Sequence, residues 1–287
     1  MPDQSQPRAA CLIGWPAAHS RSPLIHHYWL RTLDIAGGYS IESVPPEGFA
    51  EFVMNLSKHG YVGANITIPH KERALLLTAP DERARAIGAA NTLWYDGDTL
   101  RSTNTDIDGF LDNLDACAPG WDAADTVLVL GAGGSSRAVV FGLLERGIRR
   151  VHLANRSAGR AEALADEFDV KARAAGAQII PTAWQAVGDI LPRAGLLVNT
   201  TSLGMAGEPD LDIEVGLLPP QATVADLVYV PLMTPLLAAA RGRGLKTADG
   251  LGMLLYQAVH GFELWFGRRP QVTADLYAVI EADLTKA

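Results

Sequence analysis

Apolar and amphipathic segments alternate along the first third of the chain. ACLIGWP at 10–16 and YVGANITIP at 61–69 are apolar and β-prone, whereas 22–33 and 47–60 repeat apolar side chains at helical intervals. Strands that alternate with helices are typical of βαβ units, which build a mainly parallel sheet. The pattern therefore predicts an N-terminal α/β domain.

The next stretch departs from this alternation. Residues 90–106, ANTLWYDGDTLRSTNTD, have two β-prone runs on either side of an Asp-Gly pair, which is a strong signal for a hairpin turn. We expect this hairpin at the edge of the sheet. The turn-rich segment CAPGWDAAD follows at 117–125 and suits a domain boundary.

A second series of strands and helices follows that boundary. Residues 125–147 combine a buried strand, a glycine turn and a helix, and 150–168 repeat a strand and a helix. Two further strands are predicted within 194–204 and 222–231. This order is typical of a doubly wound nucleotide domain of the Rossmann type.

The tail of the chain is helical and amphipathic in pattern, in 250–270 and 273–284. Because the nucleotide domain is complete before it, we expect the tail to pack back on the first domain. The fold class is therefore α/β, and the predicted domains are 1–107 with 251–287, and 108–250.

Composition and charge narrow the classes of partner. A chain of 287 residues usually forms more than one core, and a net charge of −8 argues against broad contact with nucleic acid. Cys11 and Cys117 make no disulfide framework, and the chain has neither a run of about 18 apolar residues nor a leader pattern. We expect a soluble, cytoplasmic protein with free thiols that binds neither nucleic acid nor membrane.

The glycine turn of the second series fits the dinucleotide fingerprint G-x-G-x-x-G. Gly131 and Gly133 occupy its first two positions, and Ser136 takes the third. The first glycine permits a tight turn, and the second lets a pyrophosphate approach the N–H groups of a helix N-terminus. Serine is small enough for the close packing at the third position. The alternative is an ordinary strand-to-helix turn, but the context predicts dinucleotide binding.

The residues at the end of the next strand indicate which dinucleotide the domain binds. A cofactor without a 2′-phosphate usually meets an acidic side chain there, whereas this chain has Asn155 and Arg156, then Ser157 at a predicted N-cap and Arg160 one turn on. Guanidinium groups suit phosphate. The alternative is a solvated helix start, although cations there oppose the helix dipole. The segment predicts NADP rather than NAD.

Polar residues of the first domain cluster where its apolar runs end. These clusters contain Ser20 and Ser22, then Asn65, Thr67 and Lys71, then Asn91, and finally Asp106. Two serine hydroxyls before a helix can bind a small carboxylate, helped by the helix dipole. Taken singly, each cluster is also explained by capping, surface charge or turn chemistry.

Together these segments resemble a family. GWPAAHSRSP, GANITIPHKE, GAANT, NTD, GAGGSSRA, ANRSAGRAEALA and ADGLGMLLYQA resemble, in order and spacing, the motifs of the shikimate dehydrogenases, which reduce 3-dehydroshikimate to shikimate with NADPH. The resemblance covers almost the whole chain. It implies a substrate domain completed by the C-terminal helices, a Rossmann domain for NADP, a site in the cleft between them, and a place in aromatic amino acid biosynthesis through chorismate.

The resemblance also implies roles for individual residues. Lys71 and Asp106 would be the catalytic pair. The candidate substrate-binding residues are Ser20, Ser22, Asn65, Thr67, Asn91, Tyr229 and Gln257. The candidate cofactor-binding residues are Glu82, Gly131, Ala132, Gly133, Gly134, Ser135, Asn155, Arg156, Ser157, Arg160, Leu227 and Gly250.

One departure and several alternatives accompany the resemblance. Many members have a glycine directly after NTD, whereas Ile107 and Asp108 precede Gly109 here, which leaves the entry into the helix open. The alternatives are an NAD-dependent quinate/shikimate dehydrogenase, an aminoshikimate-type enzyme, and a non-catalytic protein that senses NADP or a metabolite. Ser22 and Arg156 weigh against the quinate enzyme.

The sequence also gives expectations about metal binding and assembly. The remaining histidines, including His19, His70 and His260, are scattered without ligand spacing, so we expect no metal site. We expect the protein to bind small molecules as a monomer or a homodimer.

Overall fold

The computed structural model describes residues 8–18 and 20–285. The chain forms two compact units. The first ends at Thr105 and resumes at Leu255, and the second runs from Asp106 to Leu254.

The first unit contains a mixed six-stranded sheet in the order β2-β1-β3-β5-β6-β4. Its strands are β1 (Arg8–Gly14), β2 (Gly37–Ser43), β3 (Tyr61–Ile66), β4 (Ala79–Pro80), β5 (Thr92–Asp96) and β6 (Thr99–Thr103). β1 pairs in parallel with β2 and β3, and β4 pairs in parallel with β6. β5 is antiparallel to both of its neighbours.

Four helices connect these strands. They are α1 (Ser22–Thr32), α2 (Phe49–Met54), α3 (Lys71–Leu77) and α4 (Glu82–Ile87). The core under α2 and α3 is apolar and includes Ile13, Phe49, Val53 and Leu93. The predicted alternation of strand and helix is confirmed.

The predicted hairpin is present, but its placement at the sheet edge was wrong. β5 and β6 pair across the turn that contains Gly97. The two-residue strand β4 then pairs with β6 and takes the outer position. A short edge strand of this kind covers backbone groups that would otherwise be open to another chain.

The second unit contains a six-stranded sheet in the order β12-β11-β10-β7-β8-β9, in which every pairing is parallel. Its strands are β7 (Thr126–Leu130), β8 (Arg150–Ala154), β9 (Gln178–Thr182), β10 (Leu196–Asn199), β11 (Thr223–Asp226) and β12 (Lys246–Ala248). This is the doubly wound Rossmann order, which reverses between β7 and β10. Ligands bind at such a reversal, beyond the carboxyl ends of the strands.

Five helices of the second unit precede or connect these strands. They are α5 (Asp106–Cys117), α6 (Gly134–Glu145), α7 (Ala158–Ala174), α8 (Val187–Ile190) and α9 (Pro235–Gly242). α5 begins directly at Asp106, so Ile107 and Asp108 continue the helix. Ile107 and Gly109 are buried. The missing glycine after NTD therefore does not disturb the helix entry.

The C-terminal helices are α10 (Gly250–Phe266) and α11 (Ala274–Leu284). From Leu255 onward they belong to the first unit. The indole Nε1 of Trp265 donates to the carbonyl oxygen of Leu93 at 2.8 Å, and Arg21 pairs with Asp283 at 3.1 Å. No helix within 8–18 and 20–285 is both long and apolar enough to cross a membrane.

A buried histidine lies in the aromatic core of the first unit. His26 stacks on Tyr39, with ring centroids 4.0 Å apart, and also contacts Phe262 and Trp265. Neither of its ring nitrogens has a hydrogen-bond partner in the part of the chain that the structure describes. Burial lowers the pKa of His26 to about 3, although the nearby Asn65 side chain acts in the opposite direction. His26 is therefore neutral in the folded protein near pH 7.

Acid is expected to destabilise the protein through His26. Below pH 6.5 the unfolded chain takes up a proton at this residue, whereas the folded protein does so only near pH 3. From this group alone, the free energy of unfolding should fall by about 2 kcal/mol between about pH 6.5 and pH 5. In His26→Phe this part of the pH dependence should be absent. Urea unfolding at several pH values measures the free energy of unfolding of both proteins.

The matched control for this experiment is His59→Phe, because His59 is exposed. That variant should keep the wild-type pH dependence. If His26→Phe and the wild type lose stability equally between pH 6.5 and pH 5, the buried neutral histidine is not the cause.

Candidate functional site

The glycine turn lies at the carboxyl end of β7, beside the reversal of strand order. Gly131 has φ +108°, a backbone conformation that favours glycine. A Cβ at this position would lie 2.4 Å from Oγ1 of Thr200, so the turn has no room for a side chain. The N–H of Gly131 donates to the carbonyl oxygen of Ala154 at 2.8 Å, which joins the turn to the end of β8.

The outer side of the turn is open. A Cβ added at Gly133 or Gly134 would meet no atom within 4 Å. Ser136 is buried instead, and its hydroxyl accepts from the N–H of Gly133 at 3.0 Å and bonds to Thr200 at 2.6 Å. The third fingerprint position is therefore structural. The N–H groups of Gly134 and Ser135 begin α6 and have no acceptor within the helix, which suits a pyrophosphate.

The loop after β8 carries the residues expected to select the dinucleotide. The amide Nδ2 of Asn155 donates to the carbonyl oxygen of Ser157 at 2.9 Å, and Ser157 is the N-cap of α7. Arg156 and Arg160 are exposed, and neither pairs with an acidic group among the described residues. Since β8 neighbours β7, this loop lies beside the glycine turn. Two cations without acidic partners there suit a phosphate ester.

The loop after β11 and the start of α10 meet within the second unit. A Cβ at Gly250 would lie 2.2 Å from the carbonyl oxygen of Leu227, so only glycine allows this approach. Tyr229 follows Leu227 in the loop and is half-buried. The structure therefore brings together two residues, Leu227 and Gly250, that the sequence assigned to the nicotinamide end.

A buried aspartate that the sequence analysis missed holds this loop. The Asp226 carboxylate accepts hydrogen bonds from Asn199 Nδ2 at 2.9 Å, Val228 N at 3.1 Å and Thr234 Oγ1 at 2.7 Å. Burial raises the pKa of Asp226, and these hydrogen bonds oppose that effect. The signal in the sequence is a single acid at the carboxyl end of an apolar run, ATVAD.

In the first unit, the two candidate carboxylate-binding serines meet at the start of α1. The Ser20 hydroxyl bonds to the Ser22 hydroxyl at 3.2 Å, and it accepts from the Ser22 N–H at 3.2 Å. Ser22 is buried and is the first residue of the 11-residue helix. The positive end of the helix dipole therefore lies at the two hydroxyls.

Lys71 is the first residue of α3, and the residue before it is anchored by buried side chains. The preceding residue, His70, is buried, stacks on Phe49 with centroids 4.2 Å apart, and bonds through Nε2 to the carbonyl oxygen of Val44 at 2.7 Å. The carbonyl oxygen of Lys71 accepts from the N–H of Ala90 at 2.9 Å. This bond brings the lysine next to the segment that ends in Asn91.

Thr67 and Asn65 occupy different environments. β3 ends at Ile66, so Thr67 lies just past the strand, where its N–H donates to the carbonyl oxygen of Ile13 at 2.9 Å. Asn65 is buried, its Oδ1 accepts from Tyr39 at 2.7 Å, and its Nδ2 donates to Asn91 O at 3.3 Å and Thr92 Oγ1 at 3.1 Å. The amide of Asn65 is thus bonded on both sides to other protein groups.

The amide of Asn91 is oriented by its neighbours. Its Oδ1 accepts from the N–H of Thr105 at 2.8 Å, from Thr105 Oγ1 at 3.2 Å and from Thr92 Oγ1 at 3.1 Å. Because an N–H can only donate, Oδ1 must face Thr105, and Nδ2 must point the other way. Thr105 and Thr92 are further residues that the sequence analysis missed. Thr105 is followed directly by Asp106, the first residue of α5.

The remaining candidates lie on helices. Glu82 is exposed at the first position of α4, where the N-cap Asp81 accepts from Ala84 N at 2.8 Å. Gln257 is half-buried on the part of α10 that belongs to the first unit. Glu82 and Gln257 both belong to the first unit, whereas the glycine turn belongs to the second.

A cavity of about 600 Å³ lies elsewhere in the second unit, at the amino ends of its strands. Its lining includes Asp125, Arg150, His152, Arg193 and Lys246. Arg150 is already paired with Asp125, and ligands of such sheets bind at the opposite, carboxyl edge. The glycine-turn edge is therefore the candidate ligand site of the second unit.

No metal centre is found in the described part of the chain. No group of three or more His, Cys, Asp or Glu side chains is placed there to hold an ion. His70 has a structural role beneath Lys71, and His19 lies outside the described residues.

Three family models match segments of this chain. They are the shikimate dehydrogenase substrate binding domain at 12–93, shikimate / quinate 5-dehydrogenase at 120–191, and the shikimate 5'-dehydrogenase C-terminal domain at 250–276. The first covers the segment with Ser20, Lys71 and Asn91, and the second covers the glycine turn.

Solved structures share the fold but differ in their substrates. Shikimate 5-dehydrogenase from Thermus thermophilus, in complex with NADP(H) and shikimate, is 34% identical, with a TM-score of 0.79 over 97% of this chain and 99% of that chain. The ligand-free 5-ketofructose reductase of Gluconobacter sp. strain CHM43 is 29% identical, with a TM-score of 0.87 over 98% of this chain and 99% of that chain. The fold alone therefore does not identify the substrate.

Sequence identity to a curated relative is much higher. The shikimate dehydrogenase (NADP(+)) of Rhodopseudomonas palustris (strain BisB18) is 75% identical over 98% of this chain and 99% of its own length. Because identity at this level extends over nearly all of both proteins, this chain belongs to the shikimate dehydrogenase family.

Proposed function

We propose that this protein catalyses the reversible reduction of 3-dehydroshikimate to shikimate with NADPH. The observation that carries the proposal is the placement of Lys71 beside an oriented Asn91. The Ala90 N–H bonds to the carbonyl oxygen of Lys71, and Thr105 fixes the direction of the Asn91 amide. The backbone of Lys71 is thus joined to the segment that carries a directed amide, and a lysine ammonium and an amide donor are the kinds of group that the reduction of a hydroxylated ketone requires.

Lys71 is the proposed general acid. NADPH supplies a hydride to the ketone carbon. Negative charge then grows on the ketone oxygen, and the Lys71 ammonium stabilises that charge and donates a proton to the oxygen. In the reverse direction the same side chain accepts the proton of the shikimate hydroxyl.

Asp106 is the proposed partner of Lys71 in catalysis. Its carboxylate accepts a hydrogen bond from a substrate hydroxyl and orients the proton donor before the reaction. The family membership and the position of Asp106 directly after Thr105 support this role.

The other polar residues of the first unit are proposed to bind the substrate. Ser20 and Ser22, at the positive end of α1, suit its carboxylate, with Tyr229 nearby in the bound complex. Thr67, Asn91 and Gln257 are proposed to bind ring hydroxyls. Asn65 is proposed to act indirectly, because its amide atoms already bond to Tyr39, Asn91 and Thr92.

The second unit is proposed to bind NADP. The open turn from Gly131 to Ser135 suits the pyrophosphate, and Arg156 and Arg160 suit the 2′-phosphate. Asn155 and Ser157 complete that loop, and Leu227 and Gly250 are proposed to line the nicotinamide. Glu82 is a further proposed cofactor contact.

Initial rates with four substrate pairs test the proposed function. Shikimate and quinate are each assayed with NADP and with NAD. We expect shikimate with NADP to give the highest kcat/KM, with NAD at least about tenfold lower because both arginines face a phosphate that NAD lacks. Higher kcat/KM for quinate with NAD would favour the quinate enzyme, and NADP binding without turnover would favour a non-catalytic relative.

Location and assembly are proposed from the sequence and the biosynthetic role. We propose that the enzyme acts in the cytoplasm, in the pathway to chorismate, as a monomer or a homodimer. Light scattering during size-exclusion chromatography measures the assembly.

A further inference from the structure

The loop after β11 is tied at both ends to one buried carboxylate. This loop consists of residues 227–234 and leads from the end of β11 into α9. Asp226 Oδ1 accepts from the N–H of Val228 at 3.1 Å, and Asp226 Oδ2 accepts from the hydroxyl of Thr234 at 2.7 Å. The two oxygens of Asp226 therefore bracket the 227–234 loop, one near its start and the other at its last residue.

The direction of both bonds is fixed by the groups that make them. A backbone N–H can only donate, and in the described part of the chain Asp226 is the acceptor for the N–H of Val228. The Thr234 hydroxyl accepts from the N–H of Leu237 at 3.3 Å, so its own proton goes to Asp226. Asp226 thus acts as an acceptor at each end of the loop, which suits an ionised carboxylate.

Asn199 joins the same carboxylate to the neighbouring loop, which follows β10. Its Oδ1 accepts from the N–H of Thr201 at 3.0 Å, so its Nδ2 faces the other way and donates to Asp226 Oδ1 at 2.9 Å. The next residue, Thr200, borders the glycine turn, because its hydroxyl donates to the carbonyl oxygen of Leu130 at 2.7 Å. Asp226 is therefore connected to both loops at the reversal of strand order.

The bond to Val228 determines where the carbonyl group of Leu227 points. The Leu227 carbonyl and the Val228 N–H belong to one trans peptide unit, in which the two groups point in opposite directions. Since Asp226 holds the N–H, the carbonyl oxygen faces away from the carboxylate. It lies against the start of α10, where a Cβ on Gly250 would be 2.2 Å from it. Asp226 therefore sets the orientation of the peptide that borders Gly250.

Stability alone does not explain a carboxylate at this position. Asp226 is 1% exposed, and no cationic side chain pairs with it among the described residues. Burial of an ionised group without a cationic partner costs free energy, which hydrogen bonds offset only in part. A buried charge held only by hydrogen bonds, two of them to the 227–234 loop, indicates that the conformation of this loop matters for function.

We propose that Asp226 is a positioning residue for the nicotinamide end of the cofactor. By holding both ends of the 227–234 loop, its carboxylate fixes the surface that Leu227 and Gly250 present to the nicotinamide ring, and hence the geometry of hydride transfer. The proposal rests on the proposed roles of Leu227 and Gly250. Asp226 is buried and bonded to the loop, so it acts through these neighbours and not by contact with the cofactor.

Asp226→Asn is the direct test, because asparagine has nearly the same shape but a single oxygen. Its oxygen can accept at Val228 or at Thr234 but not at both, so one end of the loop is released. We expect kcat/KM for NADP, at saturating shikimate, to fall about tenfold. By calorimetric titration, the Kd of 2′-phospho-ADP-ribose, which is NADP without its nicotinamide, should change less than about twofold, because the loops proposed to bind it are unaltered.

Thr234→Val and Thr234→Ser form a matched pair that tests the far end of the loop. Valine keeps the shape of threonine but cannot donate to Asp226, whereas serine keeps the hydroxyl. Thr234→Val should reproduce the fall in kcat/KM for NADP without loss of 2′-phospho-ADP-ribose affinity. Thr234→Ser should stay within about twofold of the wild type in both constants. This pair is the second test should Asp226→Asn not fold.

Thr273→Val controls for the loss of a helix cap. Thr234 caps α9 by accepting from the N–H of Leu237, and Thr273 caps α11 in the same way by accepting from the N–H of Leu276 at 3.2 Å. Thr273 makes no bond to Asp226, so its valine variant should keep the wild-type constants for NADP and for 2′-phospho-ADP-ribose. If Thr273→Val lowers kcat/KM as much as Thr234→Val does, the effect is one of helix capping, and the proposal is overturned.

Gly250→Ala separates this proposal from the proposed cofactor site. Its added Cβ would collide with the carbonyl oxygen of Leu227, so kcat/KM for NADP should fall whatever the role of Asp226. Absence of turnover in the wild type, or normal kcat/KM in Gly250→Ala, would overturn the proposed site and this proposal together. A fall in Gly250→Ala with normal kcat/KM in Asp226→Asn would overturn this proposal alone. So would an equal loss of 2′-phospho-ADP-ribose affinity in Asp226→Asn, because the effect would then not be confined to the nicotinamide end.

Discussion

Lys71→Ala is expected to lower kcat for shikimate oxidation about 10²–10⁴-fold and to change the shikimate KM far less. The reason is that the ammonium acts mainly on charge that develops during hydride transfer, so its loss affects the transition state more than the bound substrate. Steady-state rates with saturating NADP measure both constants. The pH dependence of kcat should also lose the ionisation that belongs to the general acid–base group.

Lys58→Ala is the matched control for this variant. Lys58 is an exposed lysine of the same unit, in the turn after α2. Its removal should leave kcat and KM at wild-type values, because surface substitutions of this kind rarely alter a site. A loss of kcat below about tenfold in Lys71→Ala would remove Lys71 from the mechanism.

The strands that the sequence predicted best are those whose side chains are buried on both faces. In β7 every residue is buried, and the run TVLVL is continuously apolar, as expected for the centre of a parallel sheet. The strands that no apolar run in the sequence predicted lie at the edges of the sheets. β9 contains Pro181, β12 has three residues, and β4 has two, Ala79 and Pro80. Their pairing depends on the rest of the sheet rather than on their own composition.

The candidate site was predictable where one residue type at one local position carries the chemistry. Gly131 is of this kind, because its positive φ limits the residues that fit. The proposed role of Arg156 follows the same reasoning for a phosphate. The supporting role of Asn65 was not predictable, because its polar neighbours Tyr39 and Asn91 are both 26 positions away in sequence. Tyr39 gives no signal at all within GGYSIES, where a tyrosine on a strand is ordinary.

The same physical reason explains why Asp226 and Thr105 were missed. Their importance lies in the groups they orient, and those groups are brought near only by the parallel pairing of β10 with β11 and by the hairpin of β5 and β6. Polar residues that support a site through neighbours are thus predicted less well than those that face it.

Arg156→Asp is expected to weaken NADP about 10²-fold or more and to change the affinity for NAD little. The lost charge-assisted bond contributes about 1.5–3 kcal/mol, and the new carboxylate repels the 2′-phosphate that the arginine attracted. NAD has a hydroxyl at that position, which a carboxylate can accept from. Adding Arg160→Ala should weaken NADP further by about 10–10²-fold, because the second arginine contributes about the same energy.

Calorimetric titration of both cofactors measures this preference, and the matched control is Arg149→Asp. Arg149 is exposed and precedes the amino end of the same strand whose carboxyl end leads to Arg156. The control makes an identical change of charge and should leave the ratio of NADP to NAD affinity within about twofold. Since exposed charges are screened by ions, the preference of the wild type should also decrease as salt is raised. Unchanged NADP affinity in Arg156→Asp would mean that the loop after β8 does not bind the 2′-phosphate, and that selection of the cofactor lies elsewhere in the second unit.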